Sequence, residues 1–303
     1  MRRVLRVGTR GSALALAQAD LVAQALRSRG MAAELVTIRT TGDRNQHDLS
    51  VLLGTGVFVK ELEHALLDDR IDLAAHSAKD LPTAETAGVS VAAFLTRGDP
   101  RDALVSRSGR GLGDLSPGAR IGTDSPRRRA FLLAARSDLE AAGIRGNVDT
   151  RLRKLDAGEF AAIVVAAIGL QRLGLSERIT EALPPEVMLP AVGQGAIAVQ
   201  ARTGDPLLSP VAALDHLPTR QEVLAERAFL RTVGGGCRAP IAALARSDGT
   251  QIVLDGAVIS PDGRQVVRDR MGGPADEAGA LGATLAERLL ARGAAALYAE
   301  SRA

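Results

Sequence analysis

Two short loops, each read as joining a strand to a helix, carry similar polar material: Gly8-Thr9-Arg10-Gly11-Ser12 and Gly122-Thr123-Asp124-Ser125-Pro126-Arg127-Arg128-Arg129. Small hydroxyl residues and open backbone N–H groups at a helix start attract anions, and arginine adds a planar fork matched to carboxylate or phosphate. The plainer reading is that Ser12 and Ser125 only cap helices and the arginines are solvated. Further arginines stand in Arg145-Gly146-Asn147-Val148-Asp149-Thr150-Arg151 and Gly169-Leu170-Gln171-Arg172. Such a set implies a polyanionic ligand, and a polycarboxylate is favoured over a nucleotide because neither Gly-x-Gly-x-x-Gly nor a P-loop is present. Asp80, in His76-Ser77-Ala78-Lys79-Asp80-Leu81-Pro82, is the one carboxylate placed in these motifs. Either it pairs with Lys79 or caps a turn before Pro82, or, against a cationic cleft, it stays ionised and stabilises a positive intermediate or shuttles protons. Cys237 is the single cysteine and follows three glycines in Gly234-Gly235-Gly236-Cys237-Arg238-Ala239-Pro240. It is either an inert loop residue or a chemical handle given room by the glycines.

The elements that must position these residues alternate in the first two-thirds of the chain, where short β-branched runs follow longer helical patterns, an α/β signature of parallel strands linked by helices. Strands are predicted at 4–7, 34–39, 71–75 and 89–95, with helices at 13–28 and 59–67. After a Pro/Gly-bearing stretch around Gly98-Asp99-Pro100 the grammar repeats: strand 120–122, a helix 126–136 with Pro126 at its first position, a helix near 150–155 and a buried strand 161–167. The strand 196–200 has no place in that second unit and returns to the first. A third unit opens with Thr219-Arg220-Gln221-Glu222, a capping-box pattern, and continues through strand-like runs 241–245, 252–259 and 265–270 with turns at Asp248-Gly249 and Asp262-Gly263. A final helix, 275–292, ends at Gly293. The expected domains are 1–97 with 196–214, then 98–195, then a small α+β domain at 215–303.

Composition narrows the class. The 303 residues suffice for two or three domains with proper cores, and 46% hydrophobic with 24% charged residues describes an ordinary globular chain. Lys60, Lys79 and Lys154 are the only lysines among 38 cations, yet the net charge is just +3 and both signs are interspersed. That is too little for a dedicated nucleic-acid surface, and five Phe with one Tyr make no base-stacking platform. The apolar run at 161–170 is about half of the ~20 residues a membrane helix needs, so no membrane partner is expected. Met1-Arg2-Arg3-Val4-Leu5-Arg6-Val7 lacks the apolar stretch of a signal peptide, and the expected location is the cytoplasm. Four scattered histidines and one cysteine predict no structural metal.

Taken in order, Thr9-Arg10-Gly11-Ser12, Phe58-Val59-Lys60-Glu61-Leu62, His76-Ser77-Ala78-Lys79-Asp80, Asp99-Pro100-Arg101-Asp102-Ala103, Arg145-Gly146-Asn147, Leu189-Pro190-Ala191-Val192-Gly193-Gln194-Gly195 and Gly235-Gly236-Cys237 resemble the porphobilinogen deaminase (hydroxymethylbilane synthase) family nearly end to end. The resemblance implies two periplasmic-binding-protein-like α/β domains flanking a cleft, plus a small α+β C-terminal domain. It implies a dipyrromethane cofactor joined through a thioether to Cys237. A thiol after a helix carboxyl end gains nothing from the helix dipole, which suits one-time capture of an electrophile better than repeated nucleophilic turnover. The implied reaction joins four porphobilinogen molecules head to tail, each losing ammonia to give an azafulvenium-type cation. Asp80 matches the catalytic aspartate, expected as a buried carboxylate near the pyrrole N–H. Arg10, Ser12, Ser77, Lys79, Thr123, Ser125, Arg127, Arg128, Arg145, Arg151 and Arg172 match residues that hold acetate and propionate groups. A monomer is expected.

The chain departs from the family pattern at Gly54-Thr55-Gly56-Val57, where many members have Gly-Gly-Lys-Gly, and at Asp124 and Pro126, where serine and leucine are frequent. No binding role is carried to Thr55 or Asp124. Two rival readings remain: a non-catalytic carboxylate-binding or effector-sensing two-domain module, and a cysteine hydrolase built on Cys237. The first lacks a helix-turn-helix or signal peptide to place it, and the second lacks a fixed partner histidine.

Overall fold

Alanine and leucine, both low in side-chain entropy cost, dominate the helix α1 (Ala13–Arg27), which starts at Ser12, whose hydroxyl accepts the Ala15 N–H at 3.3 Å. In the computed structural model, which describes residues 4–38, 57–234 and 239–302, this helix covers one face of a five-stranded sheet. The sheet consists of β1 (Leu5–Thr9), β2 (Ala33–Thr37), β3 (Leu73–Ser77), β4 (Val89–Phe94) and β10 (Ile197–Arg202), ordered β2-β1-β3-β10-β4. Leu5, Val7, Leu73, Ile197 and Val199 point to α1, where Val22 and Leu26 are fully buried. The opposite face packs Ala74 and Ile71 under α2 (Val57–Leu67) through Leu62 and Leu66. These residues form one compact unit, 1–98 with 196–220.

The second unit, 99–195 with 221–303, holds two sheets. Its five-stranded sheet comprises β5 (Asp102–Ser106), β6 (Arg120–Gly122), β7 (Glu140–Ala142), β8 (Ala162–Ala166) and β9 (Glu181–Ala182), ordered β7-β6-β8-β5-β9. Helices α3 (Pro126–Ala135), α4 (Val148–Asp156) and α5 (Ala167–Arg172) accompany it. A three-stranded antiparallel sheet, β11 (Ile241–Ser247), β12 (Gln251–Ile259) and β13 (Val266–Pro274), lies downstream of α6 (Leu208–Ala212) and α7 (Leu217–Val233) and ahead of α8 (Ala278–Ala291). Period-two alternation divides β11 between two cores. Ala242 and Leu244 join Leu104, Ile121, Phe131 and Leu132, whereas Ala243 and Ala245 join Phe229 of α7 and Leu285 of α8.

The tip of the β12–β13 turn touches α3. Gly263 has φ +76°, and a Cβ there would sit 2.5 Å from the Ala134 nitrogen and 2.6 Å from the Ala130 carbonyl oxygen. Only glycine permits both that conformation and that approach.

The mixed α/β class read from the sequence, two sheet-bearing domains with a small C-terminal sheet domain, is the one observed. The all-parallel expectation is corrected: β1, β2 and β3 run parallel, as do β6, β7 and β8, but β10 runs antiparallel to β3 and β4, and β5 antiparallel to β8 and β9. Both reversed strands follow a passage of the chain from one unit to the other, so neither is delivered by a βαβ crossover that would enforce parallel pairing. The capping box at Thr219 is also corrected. The helix begins two residues earlier, at Leu217, and the His216 imidazole Nδ1 accepts the Thr219 N–H at 3.3 Å. Thr219 is buried, with its hydroxyl accepting the Arg97 N–H at 3.0 Å. The last helix starts at Ala278 after a short 3-10 turn, Ala275–Glu277. Among the described residues no helix is long and apolar enough to cross a membrane.

Candidate functional site

In the first unit the candidate residues gather at one sheet edge, because β1 and β3 are parallel and both end there. Thr9 ends β1 fully buried, its hydroxyl donating to the Ala15 carbonyl at 3.0 Å, and Arg10 and Ser12 follow half-buried. The Ser12 hydroxyl accepts a backbone N–H, which leaves its proton to donate to a ligand oxygen. At the end of β3, Ser77 and Lys79 are half-buried and Asp80 closes the 3-10 turn Ala78–Asp80. Asp80 is exposed, not buried as expected: its turn continues past the strand end, beyond the covering helices.

Under this edge lies a buried polar chain. Glu63 of α2 accepts from Thr86 at 2.8 Å and from the Gln200 amide at 3.0 Å, and the buried His76 Nε2 and Gln200 Oε1 have no hydrogen-bond partner among the described residues. Burial pushes the His76 imidazole down to about 4, so the ring is neutral at pH 7.

The second unit repeats the placement. Thr123 ends β6, and its hydroxyl accepts the Ser125 N–H at 3.2 Å. Ser125 caps α3 by accepting the Arg128 N–H at 3.4 Å. The caps weighed against anion binding are thus real, and cap and site coexist in one residue. Asn147 caps α4, accepting the Thr150 N–H at 3.0 Å, with Arg145 exposed just before it. Arg151, half-buried on α4, donates to the Gly146 carbonyl at 2.8 Å. Burial and the like charge of Arg128 push its guanidinium down, while Asp124 opposes them. The extra carboxylate at Asp124 therefore faces an arginine.

Arg127 and Arg128 differ from the other cations in being buried on the first turn of α3. Between them stands Asp102, the first residue of β5, which the antiparallel pairing with β8 brings to the same edge. Arg127 Nη1 is 2.8 Å from Asp102 Oδ2 and donates to the Leu189 carbonyl at 2.7 Å. Arg128 meets Oδ1 through Nε at 2.9 Å and Nη2 at 2.8 Å, and its Nη1 donates to the Val164 carbonyl at 3.2 Å. Burial alone would raise the Asp102 carboxyl, but the two guanidiniums hold it well below the usual carboxylate range. Next to them runs Gly193-Gln194-Gly195, with both glycines at positive φ. Gln194 donates to Asp102 at 3.0 Å and to the Pro100 carbonyl at 2.7 Å. The Gly195 carbonyl accepts from Arg172 at 2.7 Å, and the Gly193 N–H donates to Glu226 of α7 at 2.6 Å. Glu226, fully buried, also accepts from Ala245 of β11 at 2.8 Å.

A family model described as porphobilinogen deaminase, dipyromethane cofactor binding domain, matches residues 5–209, and the C-terminal domain of the same family matches 220–291. The chain belongs to the porphobilinogen deaminase family. The porphobilinogen deaminase of Desulforudis audaxviator is 50% identical over 100% of this chain and 99% of its own length, and that of Pelobacter propionicus 47% identical over 98% and 97%. Among solved structures, a periplasmic substrate-binding protein of an ABC transporter from Coxiella burnetii is similar at TM-score 0.44 and 17% identity, covering 73% of this chain and 94% of that one. Membership of the porphobilinogen deaminase family makes the chain a transferase of porphyrin biosynthesis with a dipyrromethane cofactor.

The donor set fits that cofactor, which carries several carboxylates. Arg172 is half-buried on α5, pushed down to about 10 by burial, and has no carboxylate partner among the described residues. The Arg127 Nε is buried without a hydrogen-bond partner. Arg172 is thus a cation whose desolvation is uncompensated and Arg127 one with an unpaired buried donor, and a ligand carboxylate would relieve both. Cys237 and Thr55 lie outside the described residues. Among the described residues no group of three or more His, Cys, Asp or Glu side chains could hold a metal ion. Sequence reasoning missed Asp102, Gln194 and Glu226. The signal for Asp102 was present: an acid heading the apolar run Ala103-Leu104-Val105 must be buried, and a buried acid needs partners.

Proposed function

We propose that this chain converts four porphobilinogen molecules into the linear tetrapyrrole hydroxymethylbilane, with Asp80 as the catalytic carboxylate and Cys237 as the thioether attachment point. The bound dipyrromethane supplies the nucleophilic pyrrole end that primes the chain. Asp80, exposed and without an ion-pair partner among the described residues, stabilises positive charge developing on the substrate pyrrole nitrogen as ammonia leaves. It also holds or passes the proton of that N–H. Arriving substrate, more than the protein, strips water from this carboxylate, so its field strengthens only when the site is filled.

Arg10, Ser12, Ser77 and Lys79 from the first unit and Thr123, Ser125, Arg127, Arg128, Arg145, Arg151 and Arg172 from the second hold acetate and propionate groups. The carrying observation is the charge balance at the second edge: Arg127 and Arg128 share one buried carboxylate, Asp102, while Arg151 and Arg172 donate to backbone carbonyls, leaving a cationic surplus that an anionic ligand would neutralise. The boundaries 1–97 with 196–214, 98–195 and 215–303, a monomeric state and a cytoplasmic location complete the proposal. Incubation of the purified protein with porphobilinogen tests it. Release of ammonia with a linear tetrapyrrole is expected, and binding without consumption would favour a non-catalytic carboxylate-binding module.

A further inference from the structure

Two adjacent buried arginines on one helical turn repel each other and pay for lost hydration, and the like charge of Arg128 adds to burial in pushing Arg127 down. Asp102 answers both costs. Its Oδ1 accepts from Arg128 Nε and Gln194, with Arg128 Nη2 also within 2.8 Å, and its Oδ2 is ion-paired with Arg127 Nη1 at 2.8 Å without a hydrogen bond. The two arginines are not engaged alike. Arg128 spends its Nε/Nη2 fork on Asp102 and its Nη1 on the Val164 carbonyl. Arg127 spends Nη1 alone, and its Nε keeps no partner. The open donor edge therefore belongs to Arg127, and the closed one to Arg128.

We propose that Asp102 is a positioning residue for the carboxylate-binding site: it clamps Arg128 as a fixed internal counter-charge so that Arg127 stays cationic with one donor, Nε, left unpaired. Gln194 extends the clamp. With both amide protons spent on Asp102 and Pro100, it fixes the segment whose neighbours bind Arg172 through the Gly195 carbonyl and Glu226 through the Gly193 N–H. Glu226 lies on α7, the helix whose chain continues into the Cys237 loop, so one hydrogen-bonded network joins the proposed carboxylate-binding arginines to the helix that precedes the attachment residue. This inference rests on the proposed role of Arg127 in binding substrate carboxylates.

The test compares holoenzyme forms of wild type, Asp102→Asn, Arg128→Met and the double variant by steady-state kinetics, thermal midpoint and intact mass. Asp102→Asn keeps the shape and removes the charge. It is expected to raise the KM for porphobilinogen at least ~10-fold with kcat within ~3-fold, and to lower the fraction of protein carrying the two-pyrrole mass. The double variant, with one cation removed alongside the anion, is expected to regain thermal midpoint relative to Asp102→Asn while its KM stays raised, since the clamp is absent. A KM within two-fold of wild type in Asp102→Asn, whatever its midpoint, would overturn the proposal and leave Asp102 a purely structural residue. Should Asp102→Asn not fold, the double variant decides alone: a raised KM is expected, and a wild-type KM overturns the clamp. Arg127→Gln with unchanged KM would instead sink the binding role of Arg127, a separately readable failure.

Discussion

The two five-stranded sheets share one strand plan, three parallel strands followed by one reversed strand and an edge strand, yet they spend charge in opposite ways at their working edges. In the first unit the strand equivalent to β8 is β3, and the 3-10 turn that follows it ends at Asp80, exposed and unpaired by any described cation. In the second the edge is cationic, and its carboxylate, Asp102, is buried and ion-paired with two arginines. One frame thus offers an acid that waits for a charge to develop, and the other offers cations fixed before any ligand arrives. A preorganised cation costs its desolvation once, at folding, while an exposed acid gains strength only when the substrate excludes water.

The sharpest way to break this contrast is Asp80→Asn, expected to cut turnover at least ~100-fold while protein mass still shows the attached cofactor. Near-normal turnover would move the chemistry away from the first edge. Next comes Arg172→Gln on the second edge. Removing a desolvated cation is expected to leave the thermal midpoint unchanged or raised, while the KM for porphobilinogen climbs about 10- to 100-fold, the scale of one charge-assisted hydrogen bond. A lowered midpoint with unchanged KM would make this arginine a structural residue.

The two edges should also separate by pH. His76, under the first, stays neutral in the folded protein down to about 4, while an unfolded histidine takes a proton near 6.5. Stability is therefore full above 6.5 and falls as pH drops toward 4, by about 3 kcal/mol at most. Asp102 loses stability in the same direction but at lower pH: its depressed carboxyl contributes fully above the ordinary carboxylate range and loses that contribution only as pH falls through and below it. Urea titrations between pH 7 and 4.5 check the first statement, with His76→Gln expected to flatten the slope and an unchanged slope counting against it. The smallest effect is expected for Asp124→Ser, which removes an exposed carboxylate that partly offsets burial at Arg151. Its KM should fall by less than ~5-fold, a change on the order of 1 kcal/mol or less. A rise in KM would show instead that Asp124 orients Arg151 usefully.

Local chemistry was legible in the sequence because its determinants are local. Ser12 and Ser125 sit where helix starts need an acceptor, Pro126 where φ is preset, and Gly293 where the last helix ends with φ +86°. The misread features depend on partners far along the chain. Thr219 looks like a cap until His216 takes that task, and β7 and β9, three and two residues long, are too short to show alternation. Asp102 is 26 residues from Arg128 and 92 from Gln194, so no window of sequence contains its network. The proposal of anion binding at both edges could be made early, since it rests on arginine type and helix-start position. Which arginine is open and which is spent could not, since that depends on a reversed strand delivering one acid between two helix-borne cations.

The central claim is that these edges serve a carboxylate-rich group held covalently through Cys237, and intact-protein mass of the purified enzyme tests it most directly. The account predicts a mass above that of the polypeptide by two linked pyrroles, with the increment lost in Cys237→Ser. An active enzyme at the bare polypeptide mass, or an increment that survives in Cys237→Ser, would contradict it.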